Sequence, residues 1–193
     1  VRIDELDAEL VRLLNERTRV VLDIGRVKER EGGEAYVPAR EKAVLDRVTG
    51  LNAGPLPAES IRAIYREIMS ASLALERSIQ VAYLGPPATF SHQAARGRFG
   101  ASVEYIACET ISDVFDAVEK GLAEYGVVPV ENSTEGAVTS TLDRFVDTTL
   151  KVCAEIYLPI AQCLLSTTPR EQIKRLYSHP QVIGQCRQWL QRE

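Results

Sequence analysis

Arg17, Lys28, Arg40, Glu41, Ser72 and Glu76 are the residues of this chain whose types and spacing could do chemistry together. Arg17 interrupts a run of apolar side chains, Ile3, Leu6, Leu10, Leu13, Val20, Ile24 and Val27, spaced three and four apart. Such spacing marks the packed seam of a helix, and an unpaired guanidinium in a seam is costly. Lys28 lies about three turns further on and projects from nearly the same face. A third cation, Arg40, stands beside Glu41. A second stripe, Ile61, Tyr65, Ile68, Leu75 and Ile79, contains Ser72, with Glu76 one turn beyond on the same side. Either Arg17 and Glu76 form a structural ion pair, or the cations enclose a small dianion. The cations exceed what one glutamate neutralises, which favours the dianion.

A second polar set lies further along. It occupies the loops Thr89-Phe90-Ser91-His92-Gln93 and Glu131-Asn132-Ser133-Thr134-Glu135-Gly136, and the stretch Ser178-His179-Pro180-Gln181. Ser91 is expected to cap a helix. Ser178, with Gln181 three residues on, reads as a capping box. Free backbone N–H groups at such a start favour a carboxylate, and Gln185 could point the same way as Ser178. An ordinary cap for Ser178 and a surface position for His179 explain the spacing equally well.

These residues require particular elements. Residues 1 to about 80 read as three helices: Arg2 to Arg30, stopped by Gly32-Gly33; Pro38 to Gly50; and one running to Ile79 after a loop at Asn52–Pro57. At about 1.5 Å per residue the first is too long for a compact three-helix monomer, so either it projects or a second copy covers it. From Val81 the pattern alternates: strand Val81–Leu84, helix Ser91–Gly100, strand Val103–Ala107, helix Ile111–Leu122, strand Gly126–Val130 and helix Val138–Val146. That order implies a parallel sheet flanked by helices, with ligands at the carboxyl ends of its strands. Further strands are expected at Lys151–Leu158, Ile160–Ser166 and Ile173–Tyr177. With no spacer between Ile79 and Val81, the two halves should be rigidly joined.

Composition narrows the classes. In 193 residues, 45% apolar and 26% charged content is that of an ordinary globular protein, and a net charge of −4 argues against a general nucleic-acid binder. No apolar run is long enough for a bilayer, so no membrane partner is expected. Four cysteines without C-x-x-C spacing, none in the first hundred residues, fit a reducing, cytoplasmic setting. Two histidines in unrelated positions give no metal site and no cofactor is called for.

The motifs resemble two families. Residues 1–80 resemble the all-helical chorismate mutase class through Ile3-x-x-Leu6-Asp7, Leu14-x-x-Arg17, Ile24-Gly25-x-x-Lys28, Arg40-Glu41 and Ile68-x-x-x-Ser72-x-x-x-Glu76. Residues 81–193 resemble prephenate dehydratase through Gly85-Pro86-x-x-Thr89-Phe90-Ser91-His92-Gln93-Ala94-Ala95, Pro129-Val130-Glu131-Asn132-Ser133-x-x-Gly136 and Tyr177-Ser178-His179-Pro180-Gln181-x-x-x-Gln185-Cys186. In this order they look like the bifunctional chorismate mutase–prephenate dehydratase family of phenylalanine biosynthesis. The implied fold is multi-domain. An all-α mutase domain (1–80) precedes an α/β, periplasmic-binding-protein-like (type II) dehydratase domain incomplete at its C-terminus, with one lobe at 81–159 and the start of another at 160–193.

The resemblance also implies roles. Arg17 and Lys28 would bind carboxylate, with Lys28 reaching the breaking ether oxygen of chorismate. Arg40 and Glu41 would address the substrate hydroxyl, and Ser72 would line the pocket. Glu76 falls where some relatives carry glutamine; only a protonated carboxyl can donate as glutamine does, so mutase turnover should decline as pH rises. Prephenate would meet Glu131, Asn132, Ser178 and Gln185, with Thr89, Ser91 and Ser133 nearby. Three departures limit the match. The partner-subunit arginine of the family aligns ahead of Val1, Val37 stands where some members have aspartate, and the family's Thr-Arg-Phe proton donor and phenylalanine-binding domain do not occur. A fragment, competent as mutase and incomplete as dehydratase, is therefore expected. So is a homodimer through the first helix. The alternative is a non-catalytic, dimeric small-anion binding module with a solute-binding lobe.

Overall fold

The computed structural model describes residues 1–31, 37–76, 78–133, 136–178 and 180–192. The expected Gly32-Gly33 helix stop, Thr134, Glu135, His179 and the last residue lie outside that set.

Helix α1 (Arg2–Glu31) is 30 residues long. Helix α2 (Pro38–Gly50) starts on proline, whose fixed φ suits the first helical position. Helix α3 (Ala58–Glu76) packs against both α1 and α2 and is the centre of the helical half. It ends before Ile79, which the sequence pattern assigned to it. Ile79 is instead 2% exposed and packs in the sheet core with Val81 and Tyr83. The α1 seam is not packed in this single chain: Leu6, Leu10, Val20, Ile24 and Val27 are all more than half exposed.

In the second half, β1 (Gln80–Leu84) is flanked by β2 (Glu104–Cys108) and β3 (Tyr125–Val127), both parallel to it, in the order β2-β1-β3. The sheet is buried on both faces, as a parallel sheet requires. Val81 and Tyr83 face α4 (Phe90–Phe99), with Ala95 and Phe99 in the same core. Ala82 and Cys108 face α5 (Ile111–Glu119), with Val114 and Ala117. A Cβ at Gly126 would stand 2.9 Å from Val114 Cγ1, so the bare glycine lets β3 and α5 meet. Helix α6 (Thr139–Asp147) packs on α5, where Phe115 and Phe145 meet edge to face.

Three expectations about the later elements are corrected. β3 stops at Val127, and the loop after it contains a two-residue antiparallel pair, β4 (Glu131–Asn132) with β5 (Gly136–Ala137). Residues Lys151–Leu158, Ile160–Ser166 and Ile173–Tyr177 form no strands, and most of their side chains are exposed. Strand-like alternation is not enough; an extended segment becomes a strand only with a neighbour to complete its backbone hydrogen bonds. Finally, α7 (Pro180–Gln185) begins on Pro180, so Ser178 lies one position too early to be its N-cap, and the capping box is not formed as read. Helix α8 (Arg187–Leu190) packs on α7.

Candidate active site

Seven-residue spacing put Arg17 and Ile24 on one face of α1, and that face turns toward α3. With the start of α2 closing one side, the three helices surround a cavity of about 210 Å³. Arg17, Lys28, Arg40, Glu41, Ser72 and Glu76 all line it. Arg17 and Ser72 touch: the Arg17 guanidinium donates to Ser72 Oγ at 3.3 Å, and the Ser72 hydroxyl donates to the Ile68 carbonyl at 2.8 Å. Ser72, 3% exposed, is thus fixed by its own helix while it receives the arginine. Among the described residues no ion pair joins Arg17 to Glu76, which removes the simple structural explanation for either. Glu76 crosses to α1 differently. A Cβ on Gly25 would stand 2.6 Å from Glu76 Cγ and 2.7 Å from Oε1, so this side chain lies directly over the bare glycine.

Among the wall residues that were not foreseen are Arg66, Arg98 and Phe99. Arg66 belongs to the stripe Arg66, Met69, Leu73 and Glu76, which faces the cavity at three- and four-residue spacing. The stripe read from sequence runs beside it, and its Leu75 is 65% exposed. Arg98 and Phe99 come from α4 in the other half, and no local pattern signals them. With these, five cationic side chains and two carboxylates among the described residues face one cavity. Such an excess of positive charge in a part-enclosed space suits a dianion. A second cavity of about 440 Å³ continues along α1, sharing Arg17, Ile24 and Arg40.

The second candidate set sits at strand ends. Thr89, not Ser91, caps α4: its Oγ1 accepts the His92 amide at 3.3 Å and donates to the Leu84 carbonyl at 3.1 Å. Thr89 has the extended backbone of an N-cap, whereas Ser91 already lies in the first turn. His92 stacks on Tyr83 with ring centroids 4.6 Å apart, and its Nδ1 accepts the Ala88 amide. The loop that carries Glu131, Asn132 and Ser133 follows β3, the parallel neighbour of β1. Fully buried Thr141 holds this loop, donating to the Pro129 carbonyl at 2.6 Å, while the Val138 amide donates to Val130. Thr89, Ser91 and the 131–133 loop therefore leave adjacent strands at the same edge of the sheet. Ser178 and Gln185 are not gathered with them. Ser178 is exposed, and Gln185 Oε1 accepts from Gln162 at 3.2 Å within the C-terminal segment.

Comparison with known proteins separates the same two regions. A family model for chorismate mutase type II matches residues 1–77. One for prephenate dehydratase matches residues 81–193, more than half of the chain. The chain belongs to the prephenate dehydratase family. Its relatives include a bifunctional chorismate mutase/prephenate dehydratase of Aquifex aeolicus, 47% identical over 195 residues, which cover 98% of this chain and 54% of that protein. Another of that name, from Neisseria gonorrhoeae, is 48% identical over 192 residues, covering 98% and 52%. The chain spans about half the length of the curated relatives it matches. A chorismate mutase structure from Thermus thermophilus shares 44% identity, covers 39% of this chain and 85% of its own, and has a TM-score of 0.38. In this dehydratase-family chain the cationic cavity lies in the mutase-matched segment, and the strand-end loops lie in the dehydratase-matched one. Among the described residues, Arg98 is the cavity cation that comes from the dehydratase side.

Proposed function

We propose that the helical half, residues 1–80, rearranges chorismate to prephenate, and that residues 81–193 belong to the unit that converts prephenate to phenylpyruvate in phenylalanine biosynthesis. The observation that carries the first part is the convergence of Arg17, Lys28, Arg40, Glu41, Ser72 and Glu76 on one cavity. Chorismate is a dicarboxylate, and its rearrangement is a single pericyclic step without nucleophile or cofactor. The protein must hold a chair-like conformer and stabilise charge that develops on the breaking ether oxygen. Arg17, braced on Ser72, takes a carboxylate. Lys28 takes carboxylate and ether oxygen, Arg40 and Glu41 address the ring hydroxyl, and Glu76 faces the ether oxygen.

For the second half, Thr89, Ser91, Glu131, Asn132 and Ser133 are the prephenate contacts of the first lobe, supported by their common sheet edge. Ser178 and Gln185 are its contacts from the second lobe, 160–193. The exposed α1 seam supports a homodimer, in which a second copy buries Leu6, Leu10 and their neighbours. Cysteine distribution supports a cytoplasmic setting. Among the described residues no helix is long and apolar enough to cross a membrane.

Calorimetric titration with a rigid bicyclic diacid shaped like the chair transition state tests the cavity reading. Such mimics bind far more tightly than substrate when a site matches the transition state. Saturable binding that Arg17→Ala abolishes is expected. Equal binding by Arg17→Ala, or none by the wild type, overturns it.

A further inference from the structure

Arg98 belongs to the dehydratase-matched segment, yet its side chain faces the mutase-matched cavity. Arg98 Nη2 lies 3.7 Å from Glu41 Oε2, and the two side chains are 22% and 11% exposed. We propose that Arg98 is a positioning residue of the mutase site, supplied by the dehydratase half, which acts by holding Glu41. Chorismate rearrangement then depends on a residue outside the helical domain. This rests on the reading of the cavity given above and extends it.

The backbone that carries Arg98 is anchored at its point of entry. The Ala101 amide donates to Glu67 Oε2 at 3.0 Å and the Ser102 amide to Ser70 Oγ at 3.1 Å, both acceptors on α3. Gly100, with φ of 78°, turns the chain out of α4, and a Cβ there would stand 2.5 Å from Ser70 Cβ. The Tyr105 hydroxyl donates to the Gly100 carbonyl from the other side. Burial pushes that phenol up from its ordinary range, which keeps it a donor. Arg98 therefore leaves α4 two residues before a fixed junction, and its aim is set by contacts to α3.

Electrostatics explain what such a partner does for Glu41. A carboxylate beside a bound dianion is repelled, and a cation against it opposes that repulsion. Arg98 supplies that cation from the wall, where a part-buried pair is screened less than a surface one. A carboxylate offers about four lone-pair sites on two oxygens, so Oε2 can face the guanidinium while the group still accepts the substrate hydroxyl. The hydroxyl contact exists in both ground and transition states, so its loss is expected in KM more than in kcat.

Chorismate kinetics on the full chain test this, using Arg98→Ala, Arg98→Lys, Glu41→Gln and the Arg98→Ala/Glu41→Gln double variant, with thermal melts alongside. Arg98→Ala is expected to raise KM about tenfold with little change in kcat, and Arg98→Lys to restore most of that loss. In the Glu41→Gln background Arg98→Ala should add almost nothing, since residues acting through one contact are non-additive. If Arg98→Ala melts early, Arg98→Gln replaces it, read against Arg98→Lys in the same way. Unchanged kinetics in Arg98→Ala, or effects that add to Glu41→Gln, overturn the proposal for Arg98 while turnover lost with Arg17→Ala keeps the cavity reading. No turnover by the wild type overturns both.

Discussion

At the scale of single residues, the cavity gathers side chains that would be expensive to place without a ligand. Arg17 is half-buried, with Ser72 as its hydrogen-bond partner and no ion pair to Glu76 among the described residues. Glu76 lies over Gly25 and offers two sharp tests. Gly25→Ala places a methyl within 3 Å of the Glu76 carboxyl, while alanine is a better helix former by about 1 kcal/mol. The variant should melt no lower than wild type yet lose most mutase turnover, because the flexible glutamate yields rather than the helix; a normal rate removes Glu76 from the mechanism. Glu76→Gln should keep most of the mutase turnover, since an amide can make the donor contact given to this side chain; a variant as slow as Gly25→Ala contradicts that role. The helical set was legible in the sequence because a period of 3.6 residues fixes which side chains share a face. Arg66 lies on the stripe of α3 beside the apolar one that the spacing marks, and Arg98 comes from the other half, which no local period reaches.

At the scale of elements, α4 joins the two halves. Its N-terminus carries Thr89 and Ser91 at the sheet edge, and its C-terminus carries Arg98 and Phe99 at the cavity. Gly100→Ala forces a strained positive φ and a clash with Ser70. It should cost about 1–3 kcal/mol, a fall of several degrees in Tm for a chain of this size, read by calorimetry. The α5–α6 contact has an electrostatic signature. Asp116 accepts from Lys120 at 2.9 Å and from Arg144 at 2.9 Å, and Lys120 first, then Arg144, holds its carboxyl below the ordinary 3.8. A group depressed in the folded state stabilises above its unfolded value and loses that contribution as pH falls through the folded value. Asp116→Asn should therefore melt slightly below wild type at neutral pH, and the gap should narrow as pH falls below the carboxylate's ordinary 3.8. Helices and the buried parallel strands were legible because periodicity and burial agree there. The strands expected between Lys151 and Tyr177 were not real, since sequence alternation says nothing about whether a partner strand is adjacent.

At the scale of the whole molecule, a 30-residue helix with an exposed apolar seam and a cavity opening along it belong to one description. A bare stripe of this length is the face that the proposed homodimer would cover. Sedimentation equilibrium should give a dimer, and Leu10→Glu, a charge placed mid-seam, should give a monomer; a monomeric wild type contradicts the assignment of this face. Both halves meet through α3 and α4, so the cationic cavity is walled by the chain's two matched segments. That arrangement is a property of tertiary structure, and no reading of either segment alone contains it. The most direct measurement is the loss of chorismate absorbance on mixing with the purified chain. The wild type should consume chorismate well above the buffer rate and yield prephenate, and Arg17→Ala should be slower by about 10²- to 10³-fold. A wild-type rate no greater than buffer, or an Arg17→Ala rate equal to wild type, contradicts the account.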